Sequence, residues 1–323
     1  MKLFDTTLRD GGNVVGDGFN AELTVSIVRG LLSAGIKDIE LGSCKGLGAY
    51  ERMGATRALS DTEYYSVLSP WVDKGRLGMF VLAGMAREDE IKAAADAGMY
   101  FLRVGANAGD GAGSLEAIRM VKKAGLYCRY ALMKGYILSP AGLADEARML
   151  ADAGADCVTI MDSAGTMFPA EAAEYVRALK SAVSIPVGFH GHSNLGLSQA
   201  NALAAAEAGA DEIDCGLLGM ARSAGNCATE LAAATLKREG YLPDVDLYGL
   251  LDYLDAELIP AMKAYDYHVA VDPTALMLGL SGFKKVAAEE GVSLLKLIAE
   301  VSAVDRKAPS EELIRQKAAE IRG

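Results

Sequence analysis

One short pattern recurs along this chain and limits what it can fold into. Ala-Gly followed by a β-branched or apolar run occurs at Ala34-Gly35 (then IKDIELG), Ala97-Gly98 (MYFLRVG), Ala124-Gly125 (LYCRYAL), Ala153-Gly154 (ADCVTIMD) and Ala208-Gly209 (ADEIDCG). A helical stretch precedes each, as in EDEIKAAADAG and ADEARMLADAG. Glycine just past a helix end is a stop signal, because it takes the left-handed conformation without a Cβ clash. The repeating unit is therefore helix, glycine cap, strand. Successive caps lie 63, 27, 29 and 55 residues apart. The two long intervals are about twice the short ones and should each hide one more unit. Strands at Arg76–Leu82 and Pro186–His190 fit there, and the N-terminal KLFDTT brings the number to eight. The runs read as apolar on both faces and alternate with helices, which predicts a buried parallel sheet. Eight such units over roughly 240 residues predict an α/β fold of the (β/α)8 TIM-barrel type. A doubly wound open sheet usually carries a GxGxxG-like first turn, and the first turn here is acidic.

The 36 glycines among 323 residues are thereby accounted for in part as helix stops. A hydrophobic content of 51% argues against disorder, which needs too little apolar surface to offset chain entropy. The net charge of −11 argues against nucleic acid or an anionic membrane surface as the main partner. With neither an apolar leader in MKLFDTTLRD nor any run of roughly 18 apolar residues, a soluble cytoplasmic protein is expected. The five cysteines (Cys44, Cys128, Cys157, Cys215 and Cys227) form no CxxC pair, so neither a disulfide framework nor a structural zinc site is expected. From Asp246 the chain reads as helices without further glycine-capped strands. This suggests a catalytic barrel over 1–262 and a C-terminal helical appendage over 263–323, packed on its own barrel or serving as a docking surface.

Barrel enzymes work at the C-terminal ends of their strands. The polar residues at those ends are Arg9, Asp10, Glu40, Arg103, Lys134, Asp162, His190 and His192. Two of the chain's three histidines form His190-Gly191-His192, and residues i and i+2 of a strand share a face. Two imidazoles on one face, with Asp10 supplied by the adjacent first strand once the barrel closes, predict a divalent-metal site with open positions. Hydrogen-bonded rim histidines are the plainer alternative. Arg9 beside such a metal suits stabilisation of an enolate; a simple ion pair with Glu40 or Asp10 is the other reading, and both can hold. After strand eight, GLLGMARSAGN, with Gly216, Gly219, Gly225 and then Asn226, reads as an anion-cradling or closing loop, or as a plain one.

DTTLRDGG (Asp5–Gly12), IELGSCKGLG (Ile39–Gly48), GFHGHSNLGLSQANALAAAEAGADEID (Gly188–Asp214) and GLLGMARSAGN (Gly216–Asn226) together resemble the DRE-TIM metallolyases, and most of all their 4-hydroxy-2-oxovalerate aldolase branch, relatives of 3-hydroxy-3-methylglutaryl-CoA lyase. The likeness extends to DPTALMLGLSGF (Asp272–Phe283). It implies that Asp10, His190 and His192, with Asn226 near them, bind Mn²⁺ or Mg²⁺. It further implies that Arg9 stabilises a pyruvate enolate formed from a 2-oxo acid, and that Glu40 completes the Asp-Arg-Glu set. The family's tail docks an acylating aldehyde dehydrogenase, and a homo-oligomer is expected. Two positions depart from the branch: its acid/base His three residues after the metal Asp is Asn13 here, and the Tyr of its GYAG segment is Leu280. An amide cannot exchange a proton near neutral pH. Lys134 is then the leading candidate for the base, since a lysine desolvated near a metal can have a lowered pKa. Lys45, Tyr136, Asp162 and a water on the metal are the others. The expected activity is metal-dependent carbon–carbon cleavage or aldol addition. The alternatives are Claisen-type acyl-CoA chemistry, decarboxylation of a 2-oxo diacid, and a non-catalytic partner module.

Overall fold

The computed structural model describes residues 1–265, 267, 283–305 and 309–323. Eight parallel strands, β1 (Lys2–Asp5), β2 (Asp38–Leu41), β3 (Arg76–Leu82), β4 (Phe101–Asn107), β5 (Tyr127–Met133), β6 (Cys157–Asp162), β7 (Val187–Gly191) and β8 (Glu212–Cys215), form a closed barrel in chain order. Closure is made by β1 against β8, with Lys2 beside Glu212 and Asp5 beside Cys215. All eight anticipated strands are present, so the barrel reading holds and the open-sheet alternative does not.

The five repeat glycines are left-handed, with φ from +81° at Gly125 to +109° at Gly154. The two concealed units end their helices differently. Val183 is already extended at φ −128° after the helix Pro169–Ala182, and Gly75 before β3 is not among the left-handed residues. At Gly209, φ +98°, an added Cβ would meet nothing within 4 Å. Gly209→Ala should therefore cost only the left-handed backbone term, about 1–2 kcal/mol. Urea unfolding monitored by circular dichroism checks this.

The outer helices are α1 (Ala21–Ser33), α2 (Ala49–Arg52), α3 (Asp61–Leu68), α4 (Glu88–Asp96), α5 (Leu115–Lys123), α6 (Pro140–Asp152), α7 (Pro169–Ala182), α8 (Ser198–Glu207) and α9 (Thr229–Arg238). Their apolar faces pack on the barrel in one hydrophobic core that continues through α10 (Leu247–Tyr253) and α11 (Ile259–Met262). Tyr253 lies so close to Gly30 of α1 that any Cβ there would collide with its ring, at 2.5 Å. A second core joins α12 (Phe283–Glu290), α13 (Leu294–Ser302) and α14 (Glu311–Arg322) around Phe283, Leu297, Ile298 and Val301. Leu280 lies outside the described residues. All five cysteines are free. Among the described residues no helix is long and apolar enough to cross a membrane.

The strands are not apolar on both faces. Barrel lumens are usually filled by branched aliphatic side chains, but here Asp38 and Glu40 of β2, Arg103 of β4, Arg129 of β5, and Glu212 and Asp214 of β8 are all buried. Arg103, expected on the polar rim, is wholly inside. Phe4 stands between the two arginines, its ring centroid 4.6 Å from the Arg103 guanidinium and 4.3 Å from that of Arg129. This cation–π contact offsets part of the desolvation of both charges.

Candidate metal and active site

Just past β1 the backbone folds back on itself, the Arg9 and Asp10 N–H groups donating to the Thr6 carbonyl at 3.1 and 2.8 Å. The Leu217 N–H, just past β8, donates to Thr7 Oγ1 at 2.8 Å and ties this turn to its neighbour. Asp10 is thereby held at the mouth. His190 is the penultimate residue of β7, and the His192 N–H donates to the Asp162 carbonyl at 3.2 Å. Asp10 Oδ2 is 3.6 Å from His190 Nε2 and 3.8 Å from His192 Nε2, and the ligand atoms of all three lie within 4.8 Å of one another. The structure brings the anticipated triad together.

Charge and proton placement at this triad suit a cation. Burial pushes the Asp10 carboxyl up, but Arg9, then the two imidazoles and Arg222, hold it well below the ordinary range. His192 is kept neutral mainly by burial, with Arg222 adding to the effect. His190 Nδ1 lies 3.1 Å from Asp214 Oδ2. Burial alone would raise that carboxyl, but Arg103 keeps it ionised. An ionised carboxylate only accepts, so Nδ1 carries the proton and Nε2 turns its lone pair toward Asp10. Acceptors converging on one point in a buried place repel unless a cation sits between them. Asn226 donates from Nδ2 to Asp10 Oδ2 at 2.9 Å, and its own Oδ1 is buried and unpartnered. The donor set fits a divalent cation with nitrogen and oxygen ligands.

The loop after β8 brings that asparagine against Asp10. Gly225 is left-handed, and a Cβ there would come within 2.2 Å of the Gly219 carbonyl oxygen. The Asn226 N–H donates to that same oxygen at 2.9 Å. The glycines thus pinch the loop shut.

Arg9 makes the ion pairs that the plainer sequence reading expected, with both Glu40 and Asp10. Its Nε donates to Glu40 Oε2 at 2.6 Å, its Nη1 is 3.0 Å from Asp10 Oδ1, and its guanidinium lies 5.2 Å from the Phe80 ring centroid. Nη2 is buried and without a partner.

A cavity of about 260 Å³ opens over these groups, lined by Arg9, Asp10, Asn13, His190 and His192, by Lys45 and Arg222, and by an apolar wall that includes Phe80, Leu82, Met133 and Met161. Lys134 is not among its lining residues. It sits in left-handed backbone after β5, at φ +53°, with its N–H donating to Ser163 Oγ at 2.9 Å. Asp162 and Tyr136 also stand outside the lining; Asp162 accepts from the Thr166 and Met167 N–H groups and caps the turn after β6. Lys45 does line the cavity, with its Nζ 3.1 Å from Asp17 Oδ1. Asn13 occupies the place next to the metal Asp, donating from Nδ2 to the Asp10 carbonyl at 2.8 Å. Sequence reasoning missed Arg222, which was read past for the glycines around it, and Asp214. The available signal for Asp214 was a charge at i and i+2 within a short buried strand, as in DIEL and EIDC.

Fold and mouth together define a (β/α)8 barrel with a candidate divalent-metal site, Asp10, His190 and His192, at the C-terminal ends of its strands. The HMGL-like family model matches residues 1–256, and the chain belongs to this family. It is 36% identical to 4-hydroxy-2-oxovalerate aldolase 2 of Nocardia farcinica, covering 100% of this chain and 95% of that protein. It is 37% identical to 4-hydroxy-2-oxovalerate aldolase of Roseiflexus sp. RS-1, over 87% of this chain and 82% of that one. Among solved structures, the carboxyl transferase domain of Rhizobium etli pyruvate carboxylase shares the fold, with a TM-score of 0.79 at 17% identity, over 99% of this chain and 60% of that one.

Proposed function

We propose that this protein is a divalent-metal-dependent carbon–carbon lyase that cleaves a 4-hydroxy-2-oxo acid, or forms one by aldol addition, through a pyruvate-like enolate. The observation that carries this reading is the buried, unpartnered Nη2 of Arg9 beside the converging Asp10, His190 and His192. Those three residues would hold the cation, with Asn226 Oδ1 as a further donor. Mn²⁺ or Mg²⁺ is our choice, because the set includes hard oxygen donors and no thiolate. Bound there, the cation supplies Lewis acidity to the carboxylate and ketone oxygens of a 2-oxo acid.

The chain's own part is electrostatic preorganisation. Glu40 and Phe80 fix the guanidinium of Arg9, so its unpartnered Nη2 would meet developing enolate charge with little reorganisation. The wall of Phe80, Leu82, Met133 and Met161 keeps that charge out of bulk water. Cleavage also requires removal of the C4 hydroxyl proton. Asn13 cannot take it. Burial raises the Cys44 thiol and keeps it protonated, and Lys45 is engaged with Asp17. Asn13 therefore favours a second reaction on the same site, decarboxylation of a 2-oxo diacid, in which no hydroxyl is deprotonated. We assign region 263–323 to docking an acylating aldehyde dehydrogenase, supported by alignment of the whole chain with the Nocardia relative.

The test is pyruvate release measured with a coupled assay. Mn²⁺-loaded protein should release pyruvate from a 4-hydroxy-2-oxo acid, chelator-treated protein should not, and added Mn²⁺ should restore the rate. Undiminished release after chelation would overturn the reading. Faster release from oxaloacetate than from the hydroxy acid would select decarboxylation.

A further inference from the structure

We propose that Arg103 and Asp214, deep in the barrel lumen, are positioning residues that align the metal-binding His190 and the enolate-facing Arg9 through one shared ion network. The inference rests on the metal-dependent reading above. Arg103 takes both oxygens of Glu40, Nε donating to Oε1 at 2.7 Å and Nη2 to Oε2 at 2.6 Å. Its Nη1 donates to Asp214 Oδ2. Each carboxylate then orients one group of the site. Glu40 Oε2 accepts from Arg9 Nε, and Asp214 Oδ2 faces His190 Nδ1. With Arg9 on Asp10, and Asp10 beside His190 Nε2, the links close into a ring.

Stability alone is a poor explanation for such a ring. Desolvating buried charges costs about as much as their attraction returns, and well-packed apolar residues often do better. The barrel also contains its own control. One layer below, on the far side of the Phe4 ring, Arg129 bridges Asp38 at 3.0 Å and Glu212, with Arg76 and Lys2 attached. This second network has the same chemistry, an arginine between two buried carboxylates. Among the described residues, no link in it reaches Asp10, His190, His192 or Arg9.

A carboxylate that hydrogen-bonds the far nitrogen of a metal-binding histidine fixes its ring orientation and tautomer, and losing it typically weakens metal binding about 10- to 100-fold. Titration calorimetry of the full chain with Mn²⁺ should show a weakening of that size for Asp214→Asn, with Glu212→Gln within about twofold of wild type. At saturating Mn²⁺, Arg103→Lys, which keeps the charge but loses the fork, should lower kcat about tenfold or more with little change in KM, because Arg9 loses its alignment. Equal metal affinity in wild type and Asp214→Asn, or equal losses in Asp214→Asn and Glu212→Gln, would overturn the proposal. If Asp214→Asn does not fold, ¹⁵N shifts of His190 in wild type decide the matter: protonation at Nδ1 supports it and protonation at Nε2 overturns it. Absence of Mn²⁺ binding in wild type would instead overturn the metal reading itself, and this inference with it.

Discussion

His190→Ala should lower kcat/KM for pyruvate release by about 10³-fold or more. Lewis-acid stabilisation of a developing oxyanion is worth several kcal/mol, and each 1.36 kcal/mol is about tenfold in rate. His190 is one of three side chains whose ligand atoms lie within 4.8 Å of one another, and it joins that cluster to the lumen network through Asp214. Removing it leaves Asp10 with only His192 as a converging imidazole and leaves Asp214 facing a void, although still held by Arg103. The loss should appear in Mn²⁺ affinity as well as in turnover. The fold should survive, because the β7 backbone pairs with β6 and β8 whatever the side chain. Steady-state kinetics across a Mn²⁺ titration, with circular dichroism as the folding check, measure this. Full activity in His190→Ala would show that the triad is not the catalytic metal site.

A gain is expected from Asn13→His. The Asn13 side chain lines the cavity, and its Nδ2 donates to the Asp10 carbonyl and lies 3.4 Å from Asp10 Oδ1. An imidazole at this position could take the substrate hydroxyl proton at neutral pH, which the amide cannot. A positioned general base typically contributes 10²–10⁴-fold, so cleavage of a 4-hydroxy-2-oxo acid should rise by about 10²-fold. Decarboxylation of oxaloacetate, which has no such proton to lose, should change little. The two substrates assayed side by side separate the reactions. An unchanged cleavage rate would mean that another group already removes the proton, and Lys45 with Asp17 would be the pair to mutate next.

Much of the site was legible in the chain because its signals are local. His190 and His192 share a face by strand geometry alone, and Arg9 and Asp10 follow the first apolar run directly. Lys134 stood out on the same kind of local evidence, and it is not among the lining residues of the cavity. It also follows an apolar run, but the backbone turns left-handed there and Lys45, on the loop after β2, lines the cavity instead. Arg103 illustrates the same limit. A charge inside a strand reads as a rim residue until its partners, Glu40 and Asp214, are seen to arrive from strands 63 and 111 residues away.

By itself the sequence determined the barrel, since a glycine after each of five helices enforces the stop that makes every unit short, and eight short buried parallel strands close on themselves. It also pointed to Asp10, His190 and His192 as the side chains that cluster at the mouth. The tertiary structure decided what fills the lumen and which side chains face the substrate. Buried ion pairs depend on the meeting of groups far apart in the chain, and the direction of a loop side chain depends on backbone angles that residue order does not display. For that reason the link from Arg103 through Asp214 to His190 becomes visible only once the barrel is closed.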